Sequence, residues 1–262
     1  MTEEYPRFIV PGFAPFDPMD LIKRTERIVC SGNQRKYTNF YATGVYGGIA
    51  TGYTVGCCFR CIFCWVGLGR EYLEKHGKFY SPEEAFDQLS QVARKSGTAK
   101  LRISGAEPTL GKEHLLGLLS LVEESMFKLF ILETNGVYFG IDDNYVKQVS
   151  KFKKVHVRVS LKAGTPEDFT RKTGAKPEAF EIPFSAIRNL IKYGARFHVA
   201  AMSADPRIMS PAERAALLMK LHGVDPGLVK GLEEEIVDPY ETTLLRLEKA
   251  GHQLKWPLTQ LC

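Results

Sequence analysis

The chain has 262 residues, 44% of them hydrophobic and 25% charged, with a net charge of +5. This describes an ordinary globular protein of one large α/β domain or two small ones. No apolar run reaches the ~18 residues that span a bilayer, and the N-terminus lacks the basic-then-apolar pattern of a secretory signal, so a cytoplasmic protein with no membrane contact is expected.

In chain order, residues 1–47 read as an N-terminal extension rich in turns (Pro6, Pro11-Gly12, Pro15, Pro18, Gly32-Asn33), and residues 48–262 as a single domain without an internal linker. Ile49 to Val55 suit a first strand. Four of the six cysteines follow at once, within residues 57–64. A secreted disulfide scaffold spreads its cysteines through a short chain, so metal binding is the better account. Ser81-Pro82-Glu83-Glu84 then combines an N-cap, a proline at the first helical position and a capping-box glutamate. Ala85, Phe86, Leu89, Val92 and Ala93 follow on one helical face.

Strands are expected at 100–104, 128–134, 155–161 and 196–202, with helices at about 112–126, 142–151, 179–193 and 210–222. Thr165-Pro166-Glu167-Asp168 starts a shorter helix, and Ser210-Pro211-Ala212-Glu213 repeats the capping signature. Gly194 and Gly223 suit helix stops. A last strand at 234–237 and a helix at 241–250 complete about six βα units. Such alternation implies a parallel sheet, here an α/β fold of the partial (β/α)6 barrel kind, open on one side.

The strand at 155–161 sets Val155, Val157, Val159 and Leu161 on one face, with His156, Arg158, Ser160 and then Lys162 in the other phase. A small barrel usually fills its lumen with branched apolar side chains. A polar, basic lumen implies that something charged sits there; an edge strand with a solvated face is the alternative. Residues 147–176 also carry nine Lys or Arg against only Glu167 and Asp168. This block suits RNA phosphates or an acidic partner, or more simply a solvated surface plus one or two groups holding a cofactor.

Cys57, Cys61 and Cys64 stand in a C-x3-C-x2-C run with Phe63 before the last. Thiolates are the preferred ligands of iron–sulfur clusters. Three on one loop with no nearby fourth leave one iron of a cube open, whereas a ferredoxin cube takes four. Cys58, Cys61 and Cys64 form a rival triple. A zinc site is a further alternative, but it wants four N or S ligands, and only His76 lies near enough in sequence to complete it.

The stretch from Gly56 to Trp65 resembles the cluster loop of the radical S-adenosylmethionine enzymes, whose spacing favours Cys57 over Cys58. Ser104-Gly105-Ala106-Glu107-Pro108 is similar to their G-G-E-P element, with Ala106 in place of the second glycine. Glu133-Thr134-Asn135-Gly136 resembles the D/E-T-N-G element of the glycyl-radical-activating members. Ser160-Leu161-Lys162 resembles their D-L-K segment, with Ser160 where an aspartate is usual. Phe63-Cys64-Trp65 and the basic block are similar to the wyosine-forming tRNA enzymes. All these elements fall at C-terminal strand ends, where βα barrels place their chemistry.

The resemblance spans about residues 49–202. It implies a [4Fe–4S] cluster held by Cys57, Cys61 and Cys64, and S-adenosyl-L-methionine bound by Phe63, Trp65, Ser104, Gly105, Ala106, Glu107, Glu133, Thr134, Asn135, Ser160, Lys162 and, from the next strand, His198. It further implies reductive cleavage of that cofactor to a 5′-deoxyadenosyl radical, a reductant such as flavodoxin or ferredoxin, and a substrate that is a protein glycyl site, an RNA or a small molecule. No side chain is assigned a catalytic role. The non-enzymatic alternative is a redox-sensing or electron-transfer iron–sulfur protein. Cys30 and Cys262 remain as extra ligands, a reactive pair or bystanders.

Overall fold

Alternating apolar positions and well-formed helix caps produce the expected βα units in the computed structural model, which describes residues 5–255. Cys262 lies outside the described residues. In chain order the strands are β1 (Cys30–Ser31), β2 (Gln34–Thr43), β3 (Ile49–Thr54), β4 (Lys78–Tyr80), β5 (Lys100–Gly105), β6 (Leu129–Thr134), β7 (Val155–Leu161), β8 (Phe197–Ala201) and β9 (Glu233–Glu234). The helices are α1 (Pro18–Val29), α2 (Pro82–Ser96), α3 (Lys112–Glu124), α4 (Val137–Ile141), α5 (Asp143–Val149), α6 (Pro166–Thr173), α7 (Ile182–Lys192), α8 (Pro211–Val224), α9 (Pro226–Lys230) and α10 (Glu241–Lys249).

The strands make one sheet in the order β1-β2-β3-β5-β6-β7-β8-β9, with β4 paired to β2. From β3 to β9 every neighbouring pair is parallel, giving the six parallel strands of a partial, open barrel. The segment before residue 48 holds more regular structure than its turn signals suggested. Helix α1 begins at Asp17, whose side chain accepts the Met19 N–H. Strand β2 then pairs antiparallel with β3. Its residues alternate poorly in hydrophobicity, which hid it from a period-2 reading.

The helix ends follow their caps. Ser81 and Glu84 form the reciprocal capping box of α2, and Gly97 ends that helix at φ 66°. The helix expected at 142–151 is α5, capped by the Asp142 side chain through the Tyr145 N–H, and the short α4 precedes it unexpected. Helix α8 runs past Gly223 to Val224. The last strand covers only Glu233–Glu234 rather than 234–237, since the Val237 N–H turns to the Asp205 carboxylate.

Strand β7 lies between β6 and β8 and is not an edge. Val155, Val157, Val159 and Leu161 are buried, and the other phase faces the lumen. The basic block does not gather on one face. Arg158 enters the lumen, Lys154 donates to the carbonyls of Val122 and Ser125, and Lys172 is fully buried against Glu213.

That last pair shows why Ser210 and Glu213 only half-repeat the capping box. The Ser210 hydroxyl accepts the Glu213 N–H, but the Glu213 carboxylate accepts two bonds from Lys172 Nζ, at 2.6 and 2.7 Å, and one from the Gly164 N–H at 3.0 Å. It thereby joins α8, α6 and the turn after β7. Lys172→Met strands a buried carboxylate and is expected to cost about 3–5 kcal/mol. Urea denaturation of the metal-free protein checks this, and Lys172→Met/Glu213→Leu should recover part of the loss.

Candidate functional site

The residues between β3 and the turn at 68–70 form no helix or strand, yet Val55 to Phe63 are all buried. A buried irregular loop must find partners for its carbonyls, and buried guanidiniums supply them. Arg60 Nη1 donates to Cys57 O at 2.9 Å and to Phe59 O at 2.7 Å. Arg70 Nη1 donates to Cys61 O at 2.8 Å. Arg246 Nη1, on α10, donates to Cys64 O at 2.6 Å and to Val66 O at 2.5 Å. Each cysteine of the C-x3-C-x2-C run thus has its carbonyl held by a different arginine, and all three arginines are at most 2% exposed. Two loop N–H groups also pair outward, Arg60 with Thr173 O and Ile62 with Lys172 O. Gly56 enters the loop at φ 84°, where a Cβ would lie 2.7 Å from Thr25 Cγ2.

The loop faces a pocket at the C-terminal ends of the parallel strands. Cys57, Cys61, Cys64, Phe63 and Trp65 line it from the loop; Ser104, Gly105, Ala106 and Glu107 from the end of β5; Glu133, Thr134 and Asn135 from β6; Ser160 and Lys162 from β7. The five cysteines among the described residues are free. Cys58 is buried but does not line the pocket; its sulfur accepts Asn135 Nδ2 at 3.2 Å. Burial pushes the Cys58 thiol well up and Cys61 to about 12, whereas the Cys58 hydrogen bond outweighs burial at Cys57 and lowers it.

Glu107 ties two strand ends together. Its Oε1 accepts the Thr109 N–H, the Thr109 hydroxyl at 2.6 Å and the Thr134 hydroxyl at 2.7 Å, and its Oε2 accepts the Asn135 N–H at 2.8 Å. An acid is required here because every neighbour is a donor. Gly105 has φ 95°, and a Cβ would sit 2.9 Å from Thr54 N, so that position needs glycine. Among the described residues only Tyr46 combines a side chain with positive φ. Ala106 therefore has ordinary backbone geometry, and its methyl in place of hydrogen is unstrained.

Charged side chains cross the lumen beneath. Glu133 accepts Arg102 Nη1 at 3.0 Å, the Tyr46 hydroxyl at 2.9 Å and the Ser104 hydroxyl at 2.5 Å. Burial opposes its ionisation, but Arg102, Arg158 and these hydrogen bonds outweigh burial and hold the carboxyl below its usual range. Arg158 pairs with Glu233 at 3.0 Å and with Glu235 at 2.6 Å. The charged species that the basic phase of β7 implied is thus supplied by the chain itself. Lys162 Nζ donates to the Ser160 hydroxyl at 2.6 Å.

His198 is not brought to the pocket. It bonds His156 and Glu233, each at 2.7 Å, although Arg158, its register partner on β7, lines the pocket. All the other residues expected at the site line it. Arg158, Arg70, Met202 and Glu235 line it too without having been assigned there. For Arg158 the strand alternation was the available signal. His76, the candidate zinc nitrogen, lines a neighbouring cavity with Thr38 and Gly69. No three His, Cys, Asp or Glu side chains among the described residues are grouped to hold one metal ion. An all-thiol donor set spread around a loop, with Glu107 and Glu133 already engaged by protein donors, fits an iron–sulfur cube with one open corner.

The sequence model of the Radical SAM superfamily matches residues 52–203, more than half of the chain. Among curated proteins, the chain is 29% identical over 140 residues to a probable GTP 3′,8-cyclase of Thermococcus kodakarensis, covering 53% of this chain and 42% of that protein. It is 28% identical over 118 residues to a probable GTP 3′,8-cyclase of Thermoplasma volcanium, covering 45% and 33%. The chain therefore spans less than half the length of these relatives. Among solved structures, anSMEcpe with bound AdoMet and a Cp18Cys peptide is similar at a TM-score of 0.50 and 19% identity, covering 70% of this chain and 48% of that one. Streptococcus suis SuiB is similar at 0.50 and 19%, covering 71% and 39%. At these identities the likeness is one of fold.

The lumen network makes stability depend on pH. Hydrogen bonding from His198, against the cost of burial and with help from Arg158, lowers Glu233 from 4.5 to about 2. A depressed carboxyl stabilises the fold above the unfolded value, and that contribution is lost as pH falls from about 4.5 toward 2. Urea midpoints of the wild type and Glu233→Gln should therefore differ at pH 7 and converge as pH approaches 2.

Proposed function

Since the chain belongs to the Radical SAM superfamily, whose cofactors are a [4Fe–4S] cluster and S-adenosyl-L-methionine, we propose that it is an enzyme that cleaves S-adenosylmethionine reductively at a cluster held by Cys57, Cys61 and Cys64. The observation that carries this reading is the convergence of these three free thiols on one pocket. A reduced cluster held there would supply the electron that splits the sulfonium, and the 5′-deoxyadenosyl radical so released would take hydrogen from a substrate.

The chain's own residues position and enclose. Ser104, Gly105 and Ala106 present backbone to the amino group of the cofactor, close to the strand end because Gly105 has no side chain. Lys162, steadied by Ser160, meets its carboxylate. Phe63 and Trp65 offer ring surface, and Thr134 and Asn135 complete the wall. Glu107 shapes this wall by tying Thr109, Thr134 and Asn135 together. The buried loop keeps water from the reacting centre.

A low-potential donor such as flavodoxin or ferredoxin supplies the electron, and the free thiols suit the reducing cytoplasm. No helix among the described residues is long and apolar enough to cross a membrane. The substrate is a protein glycyl site, an RNA or a small molecule. A guanine nucleotide is the first small molecule to test, because the curated relatives are named as probable GTP 3′,8-cyclases.

Anaerobic reconstitution with iron and sulfide, followed by dithionite and S-adenosylmethionine, tests the proposal. The wild type should form 5′-deoxyadenosine. Cys57→Ala should lower its yield more than ~100-fold, beyond the loss expected for a residue that only supports a ligand, while Cys58→Ala should keep most of it. A brown protein that forms none supports the redox-sensing alternative, and a colourless zinc protein rejects both. Loss on Cys58→Ala rather than Cys57→Ala identifies the other triple.

A further inference from the structure

The first two cysteine carbonyls are held by arginines close in sequence, Arg60 and Arg70. The third is held from a separation of 182 residues, by Arg246 on α10. That helix lies outside the residues matched by the superfamily model. Cys64 is also the least buried of the three, and Trp65 after it is 39% exposed. Loop exits of this kind, open to water and without regular structure, are the parts of a fold that open most easily.

Helix α10 takes every carbonyl of this exit. Cys64 O accepts Arg246 Nη1 and the Thr243 hydroxyl, Trp65 O accepts the Thr242 hydroxyl at 3.0 Å, Val66 O accepts Arg246 Nη1, and Gly67 O accepts Arg246 Nη2 at 3.3 Å. The guanidinium is itself fixed by a bidentate pair with Glu71, at 2.7 Å to each oxygen. Glu71 also binds Arg70, so one buried carboxylate links the arginine behind Cys61 to the arginine behind Cys64. Such charge-assisted, forked contacts fix direction as well as distance.

We infer that α10 is a positioning element for the third cluster thiolate, with Arg246 setting the place of Cys64. This rests on the reading that Cys57, Cys61 and Cys64 hold a cluster. Arg246 acts through the Cys64 peptide and touches neither cofactor nor substrate. It also places a positive charge behind an anionic cluster, and net charge and hydrogen bonding are among the factors that set cluster potentials.

The test uses the full chain, anaerobically reconstituted, as wild type, Arg246→Lys, Arg246→Met and Glu71→Gln/Arg246→Met. The last variant removes the carboxylate that Arg246→Met alone would strand. Circular dichroism of the metal-free forms reports the fold. The readouts are iron per chain, the rate of iron loss to an external chelator, and the midpoint potential followed by electron paramagnetic resonance. In both Met variants iron loss should accelerate about 10-fold or more, in the range expected when a ligand loses its support; the midpoint should become more negative in Arg246→Met, and less so in the double variant, which removes one charge of each sign. Arg246→Lys should fall between. Should the Met variants not fold, Thr242→Val/Thr243→Val, which keeps the charges, decides by the same rates, with faster iron loss expected. Wild-type rates and midpoint in the folded variants overturn the inference while leaving the cluster reading intact. A wild type that takes up no cluster overturns the reading itself.

Discussion

The structure around the pocket depends on satisfying the carbonyls of a buried loop that has no regular structure. Helices and strands pair their own backbone; this loop cannot, and an unpaired buried carbonyl costs about 1–3 kcal/mol. Three arginines, none more than 2% exposed, supply the donors. Burying a guanidinium is itself costly unless charge and hydrogen bonds compensate, and Glu71 answers two of the three. The outcome is a loop whose carbonyls are pinned by donors, with Cys57, Cys61 and Cys64 lining the pocket at the strand ends.

The same economy appears at the strand ends. Glu107 joins the turn after β5 to the turn after β6 through Thr109, Thr134 and Asn135, and Asn135 Nδ2 in turn reaches the sulfurs of Cys57 and Cys58. A single carboxylate thereby connects two turns that each resemble a family motif. Below them, Arg102 and Arg158 are answered by Glu133, Glu233 and Glu235. An ordinary barrel fills this space with apolar side chains, which need no pairing. Here the lumen is filled by alternating charge and stays polar up to the pocket.

Much of this was legible in the sequence. The six parallel strands were found within a residue or two, except the last, because period-2 alternation and the Ser-Pro-x-Glu caps are local signals. Strand β2 was missed because its face is mixed, and α4 because five residues are too few for a helical period. Cys57, Cys61 and Cys64 and the segments at 104–107, 133–135 and 160–162 fell into one pocket because each sits at the C-terminal end of a strand, a placement that chain order in a βα fold dictates. His198, expected at the pocket, does not line it and instead bonds His156 and Glu233. Strand phase gives the face of a side chain but not its cross-strand partners, and those come from strands distant in sequence.

The sequence by itself determined the parallel barrel and the cysteine-rich loop at its rim, since spacing, caps and alternation act over a few residues. Only the tertiary structure decided who holds those thiols in place. The Arg246 guanidinium meets Cys64 across 182 residues, and Glu233 meets Arg158 across 75. No local pattern marks such partners, because an arginine on an exposed helix face and one buried against carbonyls are written identically until the chain closes on itself.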